Sequence, residues 1–437
     1  MSELERYSRN LGTLLKKETV SGYGAQELTK FYEFQALLPG VFPALFSVCE
    51  KEDFHGSMLL RWKGKGSGLP LLFMNHHDVV PPEGSWAHPP FSGEVFDGKV
   101  FGRGALDTKG GLWAMLQAAD DLAAEGFVPD ADIYFMSSCN EETDWAGSKE
   151  ITAALKERGI RFSFVLDEGG MILYEPISGA KGSFAMIGMG ERGVAELRFT
   201  AKGSGGHASA PDYDSPLVRL GKFMAKADRT AAFRPELSPV IEEMLRRLAP
   251  TVSGPLRFVF AHPVLFGPLL RLVMPRLSGT SKALLQSTIA FTMAKGSEGR
   301  GILPTEATVI ASMRCSHHQG YRASLEAITK LAAKYGISVE VLDPAHDSSL
   351  SSFETETFAL FERAVVSAFP DVKPCPYIMT GASDACFLSQ LTDNCYRFVP
   401  FRIDEQQLES IHGCNESVDL STLEPAVSFY KYLMKGE

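Results

Sequence analysis

The chain has seven cysteines (Cys49, Cys139, Cys315, Cys375, Cys386, Cys395, Cys414), an odd number with no CxxC pair. That excludes a disulfide framework and a cysteine zinc site as expectations, and the thiols read as reduced and mostly buried. No Lys/Arg block occurs, and the net charge of −10 is spread along the sequence, which argues against nucleic acid or an anionic membrane as the main partner. The start, "MSELERYSRN", lacks the apolar core of a signal peptide, so a cytoplasmic location is expected. The most apolar window, "HPVLFGPLLRLVMPRLSG" from His262, is cut by Pro268, Arg271, Pro275 and Arg276. It is too short to span a bilayer and reads as helical packing in a lid or domain interface. Repeats and low-complexity tracts are missing, and the Gly-rich turns "GRGALDTKGG" and "KGSGGHASAP" lack dinucleotide or P-loop spacing.

What is present is the composition of a globular protein, 45% apolar and 22% charged over 437 residues, enough for two or three domains. From 69 to 170 short apolar runs alternate with helical patterns: "LPLLFM", "TKGGLWAMLQAADDLAAEG", "ADIYFMSS", "GSKEITAALKERGI", "RFSFVLDEGG". This predicts a mostly parallel sheet flanked by helices. From about 192, "RGVAELRFTAKG" and "ATVIASMRC" alternate apolar and polar residues, the mark of half-exposed strands in an inserted α+β unit. Strand and helix signals resume with "SVEVLDP" and "CYRFVPF", and a helix near 419–435 carries Leu420, Leu423, Val427, Tyr430 and Leu433 at helical spacing. The expected division is a catalytic domain over 1–191 and 315–437 with an insertion over 192–314.

The stretch "FMNHHDVVPPEGSW" (73–86) begins as a strand and breaks into two histidines and an aspartate. Side chains two apart share a strand face, so His76 and Asp78 point one way and His77 the other. A carboxylate beside a histidine fixes its tautomer and raises its basicity. Later segments end in acids too: Asp107 in "GRGALDTKGG", Glu141 and Glu142 in "SCNEETDWAG", Asp167 and Glu168 in "VLDEGG". Ligands of open α/β sheets bind beyond the carboxyl ends of the strands. One crevice would therefore gather a histidine and several carboxylates, a set that needs a cation, and "SIHGCNES" adds His412 as a returning ligand.

These blocks resemble the dizinc exopeptidases and amidohydrolases that include aminoacylase, acetylornithine deacetylase, succinyl-diaminopimelate desuccinylase and carboxypeptidase S. The likeness covers nearly the whole chain. "NHHDVVPPEGSWAHPPFSGEVFDGKVFGRGALDTKGG" is its most specific block; "RGVAELRFTAKGSGGHASAP", "GILPTEATVIASMR" and "IHGCNES" follow in order, and the long segment before "STIAFTMAKGSEGRGILPTEA" is most like the carboxypeptidase S branch. The resemblance implies a zinc-exopeptidase-like α/β fold with an inserted α+β lid and dimerisation domain. It implies two zinc ions per chain, with cobalt or manganese as substitutes. His76 would bind one zinc, Asp107 would bridge both, and Glu142 and His412 would hold the second. The last ligand falls in "LDEGG", where the pattern favours Glu168 and Asp167 stands beside it.

By the same resemblance Asp78 orients His76, Glu141 is the general base, and His207 in "GGHASAP" stabilises an oxyanion, often from the other subunit of a homodimer. Arg314 grips a substrate carboxylate. The implied substrate is a short peptide or an N-acyl amino acid, with another small N-acyl or N-carbamoyl amide, or a non-catalytic metal-binding homologue, as the alternatives; the presence of Glu141 speaks against the last. Three positions depart from the pattern: Gly301 where an Asn is usual, Asn140 where an Asp is usual, and "GASDACF" where Ser383, Asp384 and Cys386 replace Thr-Asp-x-Arg. The last change removes a second carboxylate-binding arginine.

Overall fold

A computed structural model describes residues 2–24, 27–229, 232–346 and 348–437. Its main sheet has ten strands and is mixed. In spatial order Ile133–Ser137, Leu71–Met74, Phe164–Asp167 and Cys395–Arg397 lie side by side and parallel. They are almost wholly buried, which is why they appear in the sequence as apolar runs without alternation. The hairpin Cys49–Phe54 and Ser57–Trp62 closes one side antiparallel; Ser183–Glu191 joins the other side antiparallel and leads to the remaining strands.

The helices that cover this sheet follow the sequence pattern closely. Lys109–Ala124 buries nearly every side chain, and Leu420–Lys435 packs beside it through Leu423, Val427, Tyr430 and Leu433. The first of these starts against the loop before it: a Cβ on Gly110 would meet the Ala105 carbonyl oxygen at 2.0 Å and one on Gly111 the Asn75 amide oxygen at 2.1 Å. Only glycine lets the helix begin so close to the Asp107 loop.

A second, four-stranded antiparallel sheet is built from Gly193–Lys202, Thr288–Lys295, Glu306–Cys315 and Ile337–Asp343. Alternating burial along Gly193–Lys202 and Glu306–Cys315 gives one face that packs on helices Pro216–Asp228 and Gly320–Ala333, with Leu197, Phe199, Phe223, Met313 and Ile328 in a separate core. Beyond the expected end of the insertion at 314, the helix Gly320–Ala333 and the strand Ile337–Asp343 belong to this same packed unit. "ISVEVLD" pairs with Gly193–Lys202, and a half-buried strand read alone does not say which sheet it joins. The helices Pro239–Leu248, Pro255–Ala261, Gly267–Leu277 and Gly279–Leu285 lie within the expected insertion. Their buried residues Val240, Met244, Phe260, Leu270 and Met274 nevertheless belong to the core of the main sheet. No helix among the described residues is long and apolar enough to cross a membrane.

Candidate metal centre and cavity

The strand Leu71–Met74 ends and the chain runs straight on into His76, whose ring is buried. Its Nδ1 lies 2.9 Å from the Asp78 carbonyl oxygen and 3.4 Å from the Asp78 carboxylate, which leaves Nε2 facing forward. Asp78 also accepts the backbone N–H groups of Glu141 and Glu142, each at 3.1 Å. One buried carboxylate thus fixes both the histidine and the turn that carries the glutamate pair. His77 points the other way, with Nδ1 2.8 Å from the Ser137 hydroxyl and its ring stacked on Phe34 at 5.0 Å.

Around His76 Nε2 stand Asp107 at 3.0 Å, Glu168 at 3.3 Å and Glu141 at 4.0 Å. His412 Nε2 meets the other oxygen of Asp107 at 3.0 Å and Glu142 at 3.2 Å. Asp107 therefore sits between two histidines that approach from far-separated parts of the chain. Asp167 is turned inward, accepting the N–H groups of Glu168 and Ala385, both at 2.8 Å. The structure brings Glu168, and not Asp167, to the cluster.

The electrostatics express crowding of like charge. Burial raises the Glu141 carboxyl well above its ordinary range, with Glu168, Asp384 and Glu142 adding to it. Burial, then Asp107, raises Glu142 and lifts Glu168 to about 7. Burial alone would raise Asp107 too, yet hydrogen bonds from His412 and His76 hold it below its usual value. Those bonds to Asp107 and Glu142 push His412 up to about 10. His76 is raised in spite of its burial, by the charge of Glu168 and its bond to Asp107. Protons on the imidazoles here occupy the electrostatic role that a cation fills better.

The donor set fits two divalent metals. His76, Asp107 and Glu142 offer ligand atoms within 4.8 Å of one another, as do His76, Glu141 and Glu168. Glu142 Oε1 is buried with no hydrogen-bond partner, an unpaired acceptor that such a site explains. Imidazole and carboxylate ligands with a bridging carboxylate suit zinc and its neighbours.

Two features were not expected from the sequence. Glu416, fully buried, accepts from the guanidinium of Arg103 at 2.6 Å and from the backbone N–H groups of Gly104, Leu106 and Asp107 at 3.0, 2.7 and 3.0 Å. It seats the loop that presents Asp107, and the signal was an acid and an arginine inside the two ligand motifs "GCNES" and "FGRGALD". The second is a cavity of about 1900 Å³ that begins at Asp107, Glu141, Glu142, Glu168 and His412. It continues between apolar side chains such as Met186, Phe260, Val273, Met274 and Ile378. Arg314, half-buried on Glu306–Cys315, lines it near the polar end. Burial lowers its pKa, while Glu196, Glu191 and Glu141 act to raise it.

His207 is not brought to the cluster. It lies exposed on the short strand Gly206–His207, bonded to the Ser209 hydroxyl at 2.8 Å, and does not line the cavity. Gly301 is in the left-handed region with open space at its Cβ position. Asn140 accepts the Gly147 N–H at 3.0 Å, and Ser383 donates to the buried Glu191 at 2.8 Å. Trp145 Nε1 donates to Glu141 at 3.3 Å.

Residues 72–436 match the model of Peptidase family M20/M25/M40. The chain belongs to this family. Among its relatives this M20 enzyme is 30% identical to human N-fatty-acyl-amino acid synthase/hydrolase PM20D1, over 93% of this chain and 83% of the relative. It is 29% identical to the probable carboxypeptidase S-like 2 of Dictyostelium discoideum, over 94% and 79%. The M20 metallo-carboxypeptidase Sso-CP2 from Sulfolobus solfataricus shares the fold at a TM-score of 0.73 with 16% identity, covering 100% of this chain and 99% of that one. A dinuclear metal binding M20 peptidase of Bacillus subtilis, YXEP, aligns at 0.59 with 13% identity, over 99% and 97%. The M20 enzyme described here is accordingly a metal-dependent hydrolase of amide bonds.

Proposed function

We propose that this M20 enzyme is a dizinc hydrolase of N-acyl amino acids whose acyl group is long and apolar. The observation that carries the reading is the cavity. Sites for drug-sized ligands occupy roughly 300–1,000 Å³, whereas this one is about 1900 Å³ and mostly apolar beyond its acidic end. A peptide of that length would bury amide groups against walls with few partners, at a cost of about 1–3 kcal/mol per unpaired group. A hydrocarbon chain meets no such penalty, and the name of the human relative supports the choice. The carboxypeptidase names of other relatives support a second reading, short peptides with large apolar residues, which the same walls would accept.

In this reading His76, Asp107 and Glu168 hold one zinc, and Asp107, Glu142 and His412 the other. Cobalt or manganese would substitute. When bound, the ions supply Lewis acidity and acidify water. Glu141, steadied by Trp145, takes the proton of the attacking water and returns it to the leaving amine as the C–N bond breaks, giving a carboxylate and an amino acid. Arg314 clamps the carboxylate of the amino acid half. His207 acts as an oxyanion donor only from a second copy, so the reading includes a homodimer through the inserted region. Mixing inactive His207→Ala and Glu141→Gln dimers should then restore activity, since one site of each mixed dimer has both groups; no recovery on mixing rejects the donation in trans. The free state of all seven cysteines supports the cytoplasmic expectation.

The deciding experiment is turnover by the zinc-loaded enzyme of N-lauroyl-phenylalanine, N-acetyl-phenylalanine and an apolar dipeptide. Preference for the lauroyl compound supports the proposal, and preference for the dipeptide replaces it with the peptidase reading.

A further inference from the structure

The helices that wall the apolar end of the cavity also present apolar side chains to the outside. Phe258, Val264, Leu265 and Leu272 do not line the cavity and are 56, 64, 70 and 56% exposed. On the helix Gly267–Leu277 only Gly267, Leu270 and Met274 are buried, yet every residue but Gly267, Pro268, Arg271, Pro275 and Arg276 is a large aliphatic or methionine. A helix apolar all round is normally covered on all sides. The turn between this helix and Pro255–Ala261 is "HPVLF", with Val264 and Leu265 at its tip and no polar group beside them except His262.

Charge singles out the same segment. From 244 to 297 the sequence holds no Asp or Glu but seven Lys or Arg, in a chain of net charge −10. Arg257, Arg271 and Arg276 are exposed, and none makes an ion pair among the described residues. Exposed aliphatics in one segment with exposed arginines that make no ion pair match an anionic lipid interface, where the chains bury and the cations meet headgroup phosphates. The whole-chain charge, which argues against an anionic membrane, averages this stretch away.

We infer that the segment 255–277 docks the enzyme on anionic phospholipid bilayers, so that an acyl chain dissolved in the membrane passes into the adjoining cavity. This rests on the proposed substrate only for the purpose of docking; the docking itself rests on the exposed surface. A second copy of the chain is the competing occupant of the same patch.

Flotation of the zinc-loaded full chain with phosphatidylcholine–phosphatidylglycerol vesicles tests it. The wild type should float with the mixed vesicles, less as salt rises, and not with phosphatidylcholine alone. Arg271→Gln with Arg276→Gln should weaken association on the order of thirtyfold, from about 1 kcal/mol per arginine near the surface. Val264→Ser with Leu265→Ser should weaken it on the order of a hundredfold. Both double variants should hydrolyse N-acetyl-phenylalanine in solution at the wild-type rate. A wild type that stays at the bottom of the gradient overturns the inference, as do double variants that float equally well. So does sedimentation showing that Val264→Ser with Leu265→Ser turns a dimer into a monomer. Long-acyl preference measured without vesicles is a separate readout: its loss with flotation intact removes the substrate reading alone, and the reverse result removes the docking alone.

Discussion

The two ends of the cavity are built on opposite terms. At the acidic end three of the candidate ligands are aimed by a specific partner: Asp78 under His76, Glu416 under the Asp107 loop, and the Asp167 carboxylate under the backbone that leads to Glu168. At the apolar end nothing is aimed, and the walls come from short helices with proline at their starts and within them. Chemistry that moves a proton between fixed atoms tolerates little displacement. Hydrocarbon recognition scales with buried area and tolerates a great deal. A single change should therefore act steeply at one end and gradually at the other.

The steepest test is Glu141→Gln, which removes the base and leaves the proposed ligands: turnover should fall roughly 10²–10⁴-fold with both metals still present by elemental analysis. Near-wild-type turnover in a folded variant would end the assignment. Asp107→Ala should lose both ions, and His76→Ala and His412→Ala should each weaken binding of at least one, with chelation abolishing activity and zinc restoring it. Arg314→Ala should cost on the order of 2–4 kcal/mol in kcat/KM for substrates with a free carboxylate and little for their amides. Equal wild-type rates on acid and amide would refute the clamp.

At the other end the response should be graded. While the chain still lies within the walls, kcat/KM should rise about three- to fourfold per added methylene. Val273→Asp should lower it on the order of tenfold for the lauroyl substrate and leave the acetyl substrate unchanged. A flat dependence on acyl length would erase the contrast between the ends.

The remaining effect concerns stability rather than turnover. His76 and His77 are neighbours with opposite fates, since burial pushes His77 down to about 3 while His76 is raised. A histidine kept neutral by the fold stabilises fully above its unfolded pKa of about 6.5, and that contribution is lost as pH falls toward the folded value. Urea melts should show a few kcal/mol lost across that window, and His77→Phe should flatten the slope without changing metal content. An unchanged slope would mean that His77 is not the group responsible.

The acidic end was legible because His76, the Glu141–Glu142 pair and Glu168 stand just past buried strands, in short motifs of residues costly to place there without a cation. Beyond the resemblance, which favoured Glu168, nothing in the residues separated it from Asp167, because adjacent residues at a strand end point apart and it is the neighbouring Ala385 N–H that marks Asp167 as the one turned inward. The apolar end was hidden for a different reason. Val273 and Met274 read as helical packing in a lid or domain interface, and whether an apolar side chain faces another or a void depends on tertiary packing alone. In the same way, a half-buried strand beyond 314 does not say in sequence which sheet it joins, and His207, exposed and away from the cluster in its own chain, leaves its expected role to a second copy.

The Glu416 clamp has a consequence for biogenesis. Asp107 and Glu416 are 309 residues apart, and His412 lies just ahead of that clamp. The chain that leaves the ribosome can fold much of its central sheet while the Asp107 loop still lacks its seat and the second metal its histidine. The second of the two proposed metal sites would be complete only once synthesis has passed His412 and Glu416, and a nascent chain stalled before that point would carry only part of the proposed metal centre.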